Sequence, residues 1–217
     1  MSRDEFEEGR KMSILRAAEA VFADNSYEGA SIRTIASRAG VNPALVGYYF
    51  GTKSELYAEI ISGRYRDITE ERDRLLDEVP RDLAGRPAVE AILRAWFGPF
   101  VSRLDSPDGE TFVRLLTREV QDPAHGERGV VETILNPSAA RCLERLAAAL
   151  PDATPSDVAW GYQFAIAIML SSVTGADRTQ SLSSDDLTVP EGRELLDTMV
   201  EFAASGLVSL VERRANP

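Results

Sequence analysis

Helix boundaries crowd the stretch from Ser31 to Glu55, and that crowding limits the fold more than any other feature of the chain. Ser31 can cap a short helix over 32–39, which ends at Gly40, a residue free to take positive φ at a helix C-terminus. Asn42 then stands as an N-cap with Pro43 at the first helical position, and Val41 is placed to staple against Val46. That second helix runs only to about Tyr49. Thr52-Lys53-Ser54-Glu55 is a capping box that opens a long helix to about Val79.

The rest of the pattern is helical too. Ile14, Ala17, Ala18, Val21 and Phe22 fall on one face of a helix that starts near Glu7 and stops at Asp24-Asn25, with Gly29 supplying a turn. Pro87 opens a helix to about Leu104, kinked at Gly98-Pro99. Glu110 to Gln121 makes the next, and Val130 to Leu150 another, interrupted at Asn136-Pro137. Thr154-Pro155-Ser156-Asp157 caps a helix whose segment Val158 to Ala176 carries no formal charge. Thr188-Val189-Pro190-Glu191 caps a last helix to about Arg214. Arg81 to Arg86, Asp122 to Arg128 and Asp177 to Asp186 read as loops. No stretch reads as strand, so the expected fold is all-α.

Composition removes several functions. A chain of 217 residues with 44% hydrophobic and 27% charged residues has ample material for a core. One cysteine, Cys142, and one histidine, His125, exclude a disulfide framework and a zinc site built on several Cys or His ligands. There is no glycine-rich phosphate loop and no nucleophile elbow. Cys142 sits on an apolar helix face as a small core residue, and His125 lies in a loop. The carboxylate pairs Glu7/Glu8, Glu70/Glu71 and Asp185/Asp186 are consecutive, so on helices they point apart. No catalytic residue, metal or cofactor is expected. Met1 to Glu8 lacks the apolar stretch of a signal peptide. Val158 to Ala176 contains Gln163, Ser171, Ser172 and Thr174 and follows Asp152 and Asp157, which suits a helix buried on all sides better than a membrane span. The expected location is cytoplasmic, with no membrane partner.

The two short helices have helix-turn-helix spacing. Ala36 and Ala39 allow a close crossing, Gly40 the tight turn, and Ile35, Val41, Leu45 and Val46 the small core beneath. The second helix is then free to enter a major groove with its N-terminal residues at base edges. The spacing also fits an αα-hairpin that merely packs.

The run from Ser31 to Tyr57, with Tyr49-Phe50, Lys53 and Leu56 in its continuation, resembles the DNA-binding signature of the TetR/AcrR family of transcriptional repressors. The segment from Arg118 to Ser183 resembles the branch containing PsrA- and CecR-like regulators. The resemblance implies a three-helix DNA-binding head over 1–52 and a helical effector-binding and dimerisation body over 53–217. It implies that Arg33 and Thr34 touch phosphates and flanking bases, and that Asn42, Pro43, Ala44, Gly47 and Tyr48 face DNA on the recognition helix. Lys53 stands at the N-terminus of the long helix, where exposed N–H groups and the helix dipole also favour a phosphate. Tyr49 and Phe50 are expected to pack. The chain departs from the family where Pro43 replaces a common basic residue and Gly47 a phosphate-touching tyrosine.

The implied partners are a double-stranded DNA operator, a small-molecule effector and a second copy of the chain, joined through the last two helices. For the effector, Trp96, Phe100, Phe112, Glu119, Tyr162 and Gln163 are the candidate pocket residues, with Arg118 and Gln121 as further polar candidates. The alternative is a helical small-molecule-binding or interaction protein without DNA binding. A net charge of −11 argues against a nucleic-acid partner, since phosphate binding runs on Lys and Arg. Yet from residue 10 to 53 the basic side chains Arg10, Lys11, Arg16, Arg33, Arg38 and Lys53 outnumber Glu19, Asp24 and Glu28. The charge permits DNA there.

Overall fold

In a computed structural model the protein is described over residues 3–174, 179, 181 and 190–215. The described chain is helical: α1 (Arg3–Gly29), α2 (Ile32–Ala39), α3 (Pro43–Phe50), α4 (Lys53–Glu78), α5 (Gly85–Val101), α6 (Pro107–Gln121), the single turn α7 (His125–Arg128), α8 (Asn136–Ala149), α9 (Pro155–Thr174) and α10 (Gly192–Ala215). A 3₁₀ turn (Ser102–Asp105) follows α5, and a π-turn (Val131–Leu135) precedes α8. Among the described residues no helix is long and apolar enough to cross a membrane.

Most boundaries fall where caps predict, and the departures have local causes. α1 begins earlier than expected and is broken at Ser26, not turned at Gly29: Ser26 takes φ 62 and ψ 172. That region costs a residue with a Cβ on the order of 1–3 kcal/mol. Ser26→Gly should therefore stabilise the protein by about 1 kcal/mol after glycine's extra chain entropy is subtracted, measured as a rise in thermal midpoint; a fall would show that the Ser26 side chain outweighs the strain. α5 and α6 start before Pro87 and Glu110, at Gly85 and Pro107. The segment from Asp122 to Arg128, read as a loop, contains the turn α7. The interruption at Asn136-Pro137 is the junction of the π-turn with α8. Thr188, Val189, Asp185 and Asp186, and nearly all of the loop expected over 177–186, lie outside the described residues.

The chain packs into two units. The first comprises Met1–Asp67 and Pro107–Leu135, the second Ile68–Ser106 and Asn136–Pro217. The packing division therefore differs from the functional one expected at residue 52: α4 contributes to both units, and α6 belongs with the N-terminal helices. In the first unit Ile14, Val21 and Phe22 of α1, Ile35 of α2, Val46 of α3, Leu56 and Ile61 of α4 and Phe112 of α6 are buried. In the second, the Arg72 guanidinium lies 4.0 Å over the Trp96 ring and Nε donates to the Trp96 carbonyl at 2.8 Å. Arg145 donates to the carbonyls of Leu76 and Val79, each at 2.8 Å, and so satisfies the C-terminal end of α4. Where α9 meets α10, a Cβ on Gly161 would stand 2.7 Å from Leu207 Cγ, so the close approach depends on glycine.

Cys142 is fully buried on α8, and burial pushes its thiol up to about 12. At neutral pH it should resist a thiol reagent until denaturant is added. Rapid labelling of the native protein would show that α8 opens readily.

Candidate nucleic-acid interface

The head is held together by its caps. Ser31 Oγ accepts the Thr34 N–H at 3.1 Å and sits 2.8 Å from Thr34 Oγ1. Gly40 ends α2 at φ 68 and ψ 31, and the Val41 N–H reaches back to the Ala36 carbonyl at 3.0 Å. Asn42 Oδ1 accepts the Ala44 N–H at 2.9 Å, and Pro43 follows at the first helical position. Gly51, at φ 69, leads into the capping box: the Thr52 N–H and hydroxyl donate to Glu55 Oε2 at 2.7 and 2.8 Å, and the Glu55 N–H to Thr52 Oγ1 at 3.2 Å. Those donors hold the Glu55 carboxyl below its ordinary value. The box therefore stabilises fully above the usual carboxylate range and weakens as pH falls through it.

Arg33, Thr34, Asn42, Pro43, Ala44, Gly47 and Tyr48 are all exposed. Tyr48 projects furthest, 80% exposed, with its ring edge-on to Tyr49 at 5.3 Å. Tyr49 is half-buried and Phe50 buried, as packing residues are. Arg33 makes no ion pair among the described residues, whereas Arg38 pairs with Asp24 at 3.1 Å and Lys11 with Glu59 at 3.1 Å. Charge counting along the sequence could not separate these.

Lys53 is half-buried, neither a solvated lysine nor an ammonium aimed only outward. Its Nζ donates to the carbonyls of Tyr27 and Ala30 at 3.0 and 3.3 Å and lies 4.2 Å over the Tyr27 ring. Two of the three ammonium donors are thereby used by backbone carbonyls.

Behind Tyr27 lies a polar network that periodicity did not reveal. Glu119 on α6 accepts the Tyr57 hydroxyl at 2.9 Å and the Arg128 Nε at 2.9 Å, both on Oε2. Arg128 Nη2 also pairs with Asp122 at 2.8 Å. Burial, then the Glu119 charge, push the Tyr57 phenol up. The backbone N–H of Ala124 and the Arg128 guanidinium pull Asp122 down. Of its acidic and basic members the sequence singles out Glu119 alone, because Asp122 and Arg128 lie in a segment without periodicity.

The six candidate pocket residues do not gather in one place. Phe112 and Glu119 belong to the first unit, and Trp96, Phe100, Tyr162 and Gln163 to the second. Trp96, Phe100, Phe112 and Glu119 are buried. Tyr162 is half-buried with its ring 6.0 Å from that of Trp96, and Gln163 is exposed. Glu119, with Arg118 and Gln121, lines a cavity of about 200 Å³ in the first unit. A larger cavity there, of about 410 Å³, is lined in part by Arg16, Glu19 and Arg64. Arg64 already engages Glu19 at 3.1 Å.

Two family models match the chain. Residues 14–60 match the family model of bacterial regulatory proteins of the tetR family, and residues 94–206 match the tetracyclin repressor-like C-terminal domain. The chain is 32% identical over 138 residues to the HTH-type transcriptional dual regulator CecR of Shigella flexneri, a stretch covering 60% of each protein. It is 35% identical over 86 residues to the HTH-type transcriptional regulator PksA of Bacillus subtilis, covering 40% of each. The aligned stretches thus span less than two thirds of either relative. The fatty acid degradation regulator FadR from Bacillus halodurans superposes with a TM-score of 0.64 at 15% identity, over 92% of this chain and 94% of that one. FadR from Bacillus subtilis, in complex with stearoyl-CoA, superposes at 0.61 with 16% identity, over 93% and 99%. The domain-length matches and the capped helix-turn-helix place the chain in the tetR family of bacterial regulatory proteins.

Proposed function

We propose that the protein is a ligand-responsive repressor that binds a pseudo-palindromic operator as a homodimer and is released by a small apolar or amphipathic effector. The observation that carries the reading is the head: an exposed, capped recognition helix with Arg33 and Lys53 flanking it. The division into a DNA-binding head over 1–52 and an effector-binding, dimerising body over 53–217 belongs to this reading, and so does a cytoplasmic location. An acidic body disfavours non-specific DNA contact, so binding is selective and falls steeply with salt.

A gel-shift titration against the protein's own upstream region, repeated across salt concentrations, tests the reading. Binding should weaken as salt rises, and Arg33→Ala should lower the slope of log affinity against log salt by about 1. Indifference to DNA would favour a helical binding protein that has kept the fold without the function.

Dimerisation through α9 and α10 is supported by the apolar side chains they leave exposed. Trp160 is 57%, Phe164 51% and Phe202 69% exposed, and the Trp160 and Phe164 rings lie 5.7 Å apart. The charge-free composition of α9 beyond Asp157 fits a helix with the body on one side and a partner on the other. Phe202→Glu should therefore shift the sedimentation of the protein from dimer to monomer and weaken operator binding. An unchanged dimer would remove α10 from the interface.

The effector would bind in the second unit around Trp96, Phe100 and Tyr162, with Gln163 as a further candidate. The stearoyl-CoA complex of a fold neighbour supports an amphipathic ligand. Because α4 contributes to both packing units, a shift of that helix could carry the response to the head. A coupling of about 1–3 kcal/mol gives a 5–150-fold change in DNA affinity.

A further inference from the structure

Among the buried polar atoms of the first unit, Glu119 Oε1 stands out. Glu119 is 1% exposed, and both of its charged or polar partners, Tyr57 and Arg128, donate to Oε2. Oε1 is buried and meets no donor among the described residues. Buried carboxylate oxygens without a donor are uncommon because desolvation goes uncompensated. Glu119 also lines the cavity of about 200 Å³, whose other walls include Phe22, Tyr27, Tyr57 and Leu115. The rings pack edge to face, Phe22 against Tyr57 at 4.8 Å and Tyr27 against Tyr57 at 5.0 Å, which makes that side of the cavity apolar and stiff.

We infer that this cavity is a binding site for a single-ring apolar molecule carrying one O–H or N–H donor, and that the donor is received by Glu119 Oε1. Size and chemistry select the class. An apolar cavity of about 150 Å³ can take up benzene, so about 200 Å³ accommodates one ring with a small substituent. Phe22, Tyr27, Tyr57 and Leu115 favour an apolar body on one side, Ser26, Arg118, Gln121 and Asp122 line the rest, and Glu119 Oε1 is the buried polar atom of this lining without a partner. The site lies wholly in the first unit and is separate from the effector position proposed around Trp96 and Phe100. Its wall residue Tyr27 is also the seat of Lys53, through its carbonyl at 3.0 Å and its ring at 4.2 Å. A ligand against Tyr27 therefore borders the lysine at the start of α4.

Phenol and toluene, titrated into the full-length ¹⁵N-labelled protein, test the assignment without DNA and so independently of the repressor reading. Phenol should shift the amide signals of Tyr27, Tyr57, Leu115 and Glu119 to saturation. Toluene, which brings no donor, should bind about tenfold or more weakly. Glu119→Gln should reduce the preference for phenol. If that variant fails to fold, the phenol-to-toluene ratio in the wild-type protein decides alone. Equal affinity for the two, or shifts confined to residues outside this cavity, would overturn the inference.

Discussion

Arg128→Met should destabilise the protein by about 3–5 kcal/mol, because it strands a buried carboxylate. The Arg128 side chain is 5% exposed and that of Glu119 0% exposed, so neither charge can turn to water. Removing the guanidinium leaves Glu119 with the Tyr57 hydroxyl alone, and it also strips Asp122 of its partner at 2.8 Å. For a chain of this size each kcal/mol moves the midpoint by roughly 2–4 °C, so thermal unfolding should begin about 10 °C earlier. The double variant Arg128→Met/Glu119→Gln should recover much of that loss, since two neutral partners avoid the buried charge. A single variant within 1 kcal/mol of wild type would mean that Glu119 is relieved by rearrangement, and that the network does not hold α6 and α7 to α4.

That network also marks the limit of what the sequence discloses. Caps are local: Ser31, Gly40, Asn42 and Thr52 act on N–H and C=O groups within a few residues, so α2, α3 and the start of α4 are legible to within a residue. Ser26 is not, because nothing about a serine announces φ 62. The partnership of Glu119 with Tyr57 spans 62 residues, and periodicity carries no information about it. Lys53 shows the same division. Its place at a helix start can be read from the capping box, but its seat on Tyr27 and Ala30 depends on how α1 ends. The candidate pocket residues stand out by chemical type, and type does not tell an aromatic core from an aromatic pocket. Trp96 and Phe100 are fully buried, and Gln163 faces outward.

The recognition helix should depend on Tyr48 more than on Asn42. Its exposed face is Asn42, Pro43, Ala44, Gly47 and Tyr48, with no Lys or Arg, so the bidentate arginine–guanine contact that dominates direct readout is absent. Asn42 could in principle read adenine with both amide atoms. Its Oδ1, however, already accepts the Ala44 N–H at 2.9 Å, which leaves the Nδ2 donors for a base. Asn42→Ala should therefore act in two modest ways: about 1 kcal/mol of stability lost with the cap, and relaxed preference at one operator position. Unchanged preference at every position would remove Asn42 from readout. Tyr48 is the large side chain projecting from a surface otherwise made of small residues, 80% exposed and braced edge-on by Tyr49. A Cβ on Gly47 would meet nothing within 4 Å, so the surface beside Tyr48 leaves space for a close approach. Proline and alanine there suit thymine methyl groups, and the remaining selectivity falls to DNA shape. Tyr48→Ala should weaken operator binding by about 1–3 kcal/mol, a factor of 5–150. Tyr48→Phe separates the two parts of the side chain. A variant bound as tightly as wild type assigns the energy to the ring against a base, and one as weak as Tyr48→Ala assigns it to the hydroxyl on a phosphate. Binding within twofold of wild type after Tyr48→Ala would move recognition off this helix face altogether.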